Sequence, residues 1–183
     1  HPFISTMANM LVIFGLVTYA TKGVSFGAIE PAIPKMIIPK INGFPTIILW
    51  AVAAIVIVWF IWNKTTFGKN LYAVGGNPEA AAVSGISVFG VTMGAFILAG
   101  ILYGFGSWLE CARMVGSGSA AYGQGWEMDA IAACVVGGVS FTGGIGKISG
   151  VVVGVLIFTV LIYSLTILGI DTNLQFVFEA III

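Results

Sequence analysis

The chain has 183 residues, of which 59% are hydrophobic and 8% charged, where a soluble domain carries about 25% charged. That balance belongs to a protein solvated by lipid. Seven basic residues offset seven acidic ones, which leaves no basic field for nucleic acid and no acidic tail, and Cys111 and Cys134 form neither a CxxC motif nor a metal-ligand cluster.

A helix needs about 20 apolar residues to cross a hydrocarbon core roughly 30 Å thick. The first stretch of that kind is 3–20. Residues 21–45 follow, with Pro31, Pro34, Pro39 and Pro45 among Lys22, Lys35 and Lys40. Proline fixes φ and removes a donor, so this segment is expected to be an extended loop across which no regular helix persists. A second span is expected over 46–62.

Residues 63–87 form a connecting segment with its own internal grammar. Asn77 reads as an N-cap, Pro78 as the first helical residue, and Glu79 as a first-turn acid facing the positive end of the helix dipole. Ala80, Ala81 and Ala82 propagate the helix, and Gly85 after Ser84 is placed to close it. Helices shorter than about 12 residues are marginal in water. This one therefore needs a surface to dock against, and its own chain offers little to hold it. It is either a helix presented to a partner or an ordinary capped turn between spans.

The third span is expected over 88–109, followed by Glu110 and Arg113, three apart, in the role of a local anchor. Residues 116–127, "GSGSAAYGQGWE", mix small residues with Tyr122, Gln124 and Trp126. Either they line a way in for a polar ligand or they are interfacial aromatics at a membrane surface. Glu127 and Asp129 suit a first helical turn; no base, nucleophile or metal partner accompanies them, so a catalytic dyad is rejected. Residues 130–146, "AIAACVVGGVSFTGGIG", hold five glycines and read as a broken or re-entrant helix, with a plain span as the alternative. Irregular backbone at membrane depth survives only where protein or a water-filled cavity covers it. A break there makes Gly137, Gly138 and Ser140 candidates for a translocation pathway, together with Tyr122, Gln124 and Trp126.

A fourth span is expected over 148–170 and a fifth begins at 174. Glu179 within it is an intramembrane carboxylate or an interfacial one. The chain begins at His1 and stops inside the apolar run "FVFEAIII", so it is expected to be a piece of a longer protein. Glycine pairs four apart, at 90 and 94, at 100 and 104, and at 146, 150 and 154, are expected to let helices approach closely. If the spans alternate, Lys64, Lys69 and Lys147 share one side and Lys22, Lys35, Lys40 and Arg113 the other, which does not decide orientation. "GSGSAA" matches a dinucleotide fingerprint without the βαβ unit it needs. "GGIGKIS" resembles a phosphate loop but has Phe141 and Ile148 at positions that require Gly and Ser or Thr. No nucleotide site is therefore read in the chain.

Two long motifs carry a resemblance. "WNKTTFGKNLYAVGGNPEAAAVSGISV" at 62–88 and "EMDAIAACVVGGVSFTGGIG" at 127–146 are similar to the permease subunits of bacterial ABC importers for monosaccharides, of the ribose and galactose/methylgalactoside type and closest to the galactoside branch. The likeness covers essentially the whole chain and is least over 21–45. Met128 stands where Leu is usual, and Lys147 where a small or hydroxyl residue is usual. The resemblance implies an all-α, polytopic transmembrane helical bundle, one membrane domain over 1–183, with a short cytoplasmic coupling helix and a Gly-broken segment. It also implies a homodimer in the inner membrane, a periplasmic sugar-binding protein, and a cytoplasmic ABC ATPase whose groove receives Asn77, Pro78, Glu79, Ala80, Ala81, Ser84 and Gly85. No cofactor, metal or bond-making step is expected of this chain. An ion-coupled secondary transporter and a membrane scaffold without transport are the rival readings, separated by whether a nucleotide-binding subunit co-purifies.

Overall fold

The computed structural model describes residues 2–25, 32–41, 44–114, 118–171, 174 and 177. Glu179 and the remainder of the expected fifth span lie outside these, as do residues 116 and 117 of the loop after the third span. Among the described residues the chain is nearly all helical. Its elements are α1 Pro2–Thr21, α2 Ala32–Ile37, the strands β1 Lys40–Ile41 and β2 Phe44–Pro45, α3 Ile47–Lys64, α4 Thr66–Gly76, α5 Pro78–Val83, α6 Val88–Met114, α7 Trp126–Val136 and α8 Ile148–Ile167. Four helices, α1, α3, α6 and α8, are long and apolar enough to cross a membrane. They bury almost nothing within the chain, from none of α1 and α3 to 11% of α8. An apolar helix can leave so much of its surface uncovered where lipid is the solvent, because its backbone polar groups are all satisfied internally.

Contacts divide the chain into two units. One comprises His1–Ala51 with Gly100–Gln124, the other Val52–Ala99 with Gly125–Ile183. In the first unit the proline-rich segment departs from the extended loop expected of it. Pro34 is the third residue of α2, in the first turn, where a backbone N–H has no intrahelical partner to lose. Its carbonyl accepts from the Ile38 N–H at 2.9 Å. β1 and β2 then pair antiparallel, Lys40 with Pro45 and Ile41 with Phe44. The turn back into α3 is fixed by buried Thr46, whose hydroxyl donates to the Pro39 carbonyl at 2.7 Å. Trp50 donates from Nε1 to the Ile37 carbonyl at 3.1 Å and stacks edge-on against Phe105 and Trp108, which ties the start of α3 to α6.

The second unit is held by glycine. A Cβ added to Gly154 of α8 would lie 2.1 Å from the Ala133 carbonyl oxygen and 2.7 Å from the Gly137 nitrogen, and one on Gly150 would lie 2.2 Å from the Gly137 oxygen. Gly150 and Gly154 thus form the α7–α8 seam, with Ala132, Ala133 and Phe158 buried beside it, whereas Gly146 precedes α8 and packs against Val139 of the loop. Of the pairs on α6, Gly94 meets the Phe67 ring of α4, whereas Gly100 and Gly104 face open space. Among the described residues, the close approach expected of these glycines is therefore seen at Gly150 and Gly154, while Gly94 makes room for the Phe67 ring and Gly90 meets only Ser87.

α7 has 11 residues, about 16 Å of helix, half of what a span requires. It ends where the Gly137-Gly138 pair begins. The Val139 N–H returns to the Cys134 carbonyl at 3.0 Å and the Gly138 N–H to Val135 at 2.8 Å, with Gly138 at φ +82°. These are the paired bonds of a Schellman stop, which calls for a left-handed residue at that position.

Candidate functional site: a capped elbow against a glycine loop

The segment between α3 and α6 is more ordered than a loop with one short helix. Thr65, in extended backbone, donates its hydroxyl to the Ile61 carbonyl at 2.6 Å and accepts from the Gly68 N–H at 3.2 Å. It thereby ends α3 and caps α4. Buried Gly68 lies so close to the end of α3 that a Cβ would sit 2.1 Å from the Trp62 oxygen. α4 was missed in the sequence because Gly68, Gly75 and Gly76 lower its helix propensity; the Thr65 cap was the signal that could have found it.

Asn77 serves two helices at once. Its N–H donates to the Ala73 carbonyl at 3.0 Å, closing α4, and its side-chain oxygen accepts from the Ala80 N–H at 3.0 Å, opening α5. Pro78 is the first helical residue and Glu79 stands in the first turn. At the other end the Gly85 N–H returns to Ala82 and the Ile86 N–H to Ala81, both at 3.0 Å, with Gly85 at φ +83°. The Ser84 hydroxyl donates to the Ala80 carbonyl at 2.9 Å.

The chain holds this helix better than its sequence suggests. α5 packs against α4, and Ala81 is buried at 4% exposure. Asn77, Pro78, Glu79, Ala80, Ser84 and Gly85 are exposed, and Val83, an apolar residue, is 90% exposed. Replacing Asn77 with Ala removes the side-chain cap at an expected cost of about 1 kcal/mol. The expected result is roughly fivefold faster amide exchange over 78–84, the factor that such a cost corresponds to, with α3 and α6 unchanged.

Residues 137–147, between α7 and α8, form a self-bonded loop. The Ser140 N–H donates to the Ile145 carbonyl at 3.0 Å, its hydroxyl accepts from the Thr142 N–H at 3.2 Å, and the Gly143 N–H returns to the Ser140 carbonyl at 3.2 Å. This loop meets the elbow. Tyr72 of α4 donates from its hydroxyl to the Gly146 carbonyl at 2.8 Å across 74 residues of sequence. A Cβ on Gly75 would lie 2.7 Å from the Gly144 nitrogen, one on Gly143 2.5 Å from the Gly75 oxygen, and one on Gly144 2.6 Å from the Gly76 Cα. Two backbones touch there directly, and the two long sequence motifs come together. Tyr72, Gly138, Gly144, Lys147 and Ser149 line a recess of about 400 Å³ beside the contact.

The remaining candidates sit apart in sequence and role. In the first unit Arg113 forks onto both oxygens of Glu110, and the Tyr122 hydroxyl donates to Glu110 while accepting from Arg113 at 3.3 Å. The hydrogen bond to the carboxylate holds the Tyr122 proton and pushes its pKa up. Gln124 closes the preceding turn through its N–H to Ala121 at 3.3 Å. In the second unit Trp126, half exposed, opens α7, and Glu127 accepts from the Gly125 N–H at 3.1 Å. Gly137 and Gly138 form the α7 stop, while Ser140 closes the loop behind it.

The family model described as "Branched-chain amino acid transport system / permease component" matches residues 1–183. The chain belongs to this family. Over 192 residues it is 56% identical to the galactose/methyl galactoside import permease protein MglC of Treponema pallidum, covering 100% of this chain and 36% of that protein. It is 42% identical over 190 residues to MglC of Escherichia coli (100% and 56%) and 37% identical over 184 residues to the ribose import permease protein RbsC of Bacillus subtilis (100% and 57%). The chain thus spans between a third and three fifths of these relatives. No solved structure matches it. With four candidate spans and this family membership, it is a helical membrane protein and a transport-system permease component.

Proposed function

We propose that the chain is part of the membrane-spanning permease subunit of an ATP-driven monosaccharide importer in a bacterial inner membrane. A periplasmic binding protein delivers galactose, methylgalactoside, glucose or ribose, a separate cytoplasmic ATPase supplies the energy, and a second permease copy completes the path. The chain moves sugar and makes or breaks no bond. The observation that supports this reading best is α5: a helix of six residues, capped at both ends, set between the ends of two spans, and turning Glu79 and Val83 outward. A helix this short serves as a contact element, not as core, and its relatives named as sugar import permeases supply the class of cargo. Gly137, Gly138 and Ser140, with Tyr122, Gln124 and Trp126, remain the candidates for contact with the sugar.

The test is co-purification. The full-length permease, expressed with its neighbouring ATPase and binding protein, is expected to retain the ATPase in detergent and, in liposomes, to take up radiolabelled galactose only when ATP is present. Uptake driven by a proton or sodium gradient without any bound ATPase overturns the proposal in favour of a secondary transporter.

A further inference from the structure

Resting on that reading, we infer that Tyr72 is a positioning residue that locks the elbow to the glycine loop, so that α4, α5, the loop and the α7–α8 pair move as one body. Three independent features of the second unit carry this. The first is the single side-chain bond from Tyr72 to the Gly146 carbonyl, 2.8 Å long. The second is the backbone contact of Gly75 and Gly76 with Gly143 and Gly144, too close for any side chain. The third is the seam in which Gly150 and Gly154 meet Ala133 and Gly137 just as closely. At the closest approaches of both surfaces backbone meets backbone, where no side-chain rotation can absorb a displacement. The loop between them is closed on itself through Ser140, and Asn77 joins α4 to α5 with no intervening linker.

The glycine contacts let the two backbones approach closely but fix no direction between them. Tyr72 adds a directional side-chain bond across that contact. Its hydroxyl bonds a carbonyl in the loop itself, next to Lys147 at the start of α8, and its ring lines the recess between α4 and the loop. On this inference a movement that draws α5 away from the bundle is transmitted to α8 through this bond.

The experiment uses the full-length permease with its ATPase and binding protein in liposomes. Tyr72→Phe keeps the ring and removes the hydroxyl. The variant is expected to co-purify with the ATPase in wild-type yield and to hydrolyse ATP within about twofold of wild type, while the sugar moved per ATP falls about three- to tenfold, the range one hydrogen bond governs. An unchanged ratio of sugar to ATP overturns the inference. Loss of the ATPase from the wild-type permease itself overturns the proposed function instead, and is seen before any variant is made. Should Tyr72→Phe fail to insert, nitroxides at exposed Ala73 and Phe141 in an otherwise cysteine-free permease decide the matter. Their dipolar broadening is expected to be identical with and without nucleotide; a change on nucleotide binding overturns the lock.

Discussion

Glu79→Arg is expected to abolish ATP-driven sugar uptake, at least tenfold below wild type, while the amount of permease in the membrane stays the same. Glu79 is exposed in the first turn of α5, where its own contribution is a favourable meeting with the helix dipole of about 0.3 to 1 kcal/mol at low ionic strength. That is too little to unfold the chain, since α5 keeps the Asn77 cap, the Gly85 stop and buried Ala81. An interface built around a carboxylate fares much worse when the charge is reversed. Truncating one partner of a desolvated charge pair costs about 2 to 5 kcal/mol, and a like charge adds repulsion. Every 1.4 kcal/mol is about tenfold in binding. Uptake into vesicles, with immunoblotting of the membrane fraction, separates the two effects, and Glu79→Gln is expected to fall between. Wild-type uptake by the Arg variant would remove α5 as the site of ATPase contact.

Gly154→Ala and Gly100→Ala are expected to move stability in opposite directions. At Gly154 a methyl group would sit 2.1 Å from the Ala133 oxygen, 2.7 Å from the Gly137 nitrogen and 2.8 Å from the Gly137 Cα. All three atoms are backbone, so no side-chain rotation relieves the clash and α7 must leave α8. Overpacking of this kind costs about 3 kcal/mol, and close approach is what holds membrane helices together in the first place. At Gly100 the added methyl meets nothing, and alanine favours the helix over glycine by about 1 kcal/mol. Thermal unfolding in detergent is expected to show a clear fall for the first and a small rise for the second. A fall at Gly100 as well would reveal that a helix of the longer protein, or of a second copy, lies against that face.

The four long helices were legible because length and hydropathy suffice to specify a span, and α5 was legible because Asn77, Pro78, Glu79 and Gly85 each act within one turn of their own position. What was hidden depends on partners far away in sequence. Nothing in the run around Tyr72 announces that its hydroxyl will find the carbonyl of Gly146, or that Gly75 needs to be small because of Gly144. The glycine series looked alike, yet 150 and 154 are a seam, 146 packs within the loop, and 100 and 104 face open space, a difference set by what lies opposite. Pro34 misled for a local reason, since a proline in a first turn stops nothing, and α4 was masked by glycines that tertiary contact requires. Among the pathway candidates, Tyr122 is engaged with Glu110 and Arg113, and the Gly137-Gly138 pair ends α7.

Because one asparagine closes α4 and opens α5, the elbow of the proposed importer would work as a crank without backlash. With α4 about 16 Å long, a tilt of about 5° imposed at α5 arrives at the Thr65 end as a shift of about 1.4 Å, with no slack turn in which it could dissipate. The Thr65 end is fastened in turn to the last turn of α3 by the Ile61 bond. Such a lever favours small, fast strokes over large excursions, and it would be ruined less by weakening either arm than by lengthening the joint. A glycine inserted between Gly76 and Asn77 should let nucleotide turnover run on with the cargo left behind.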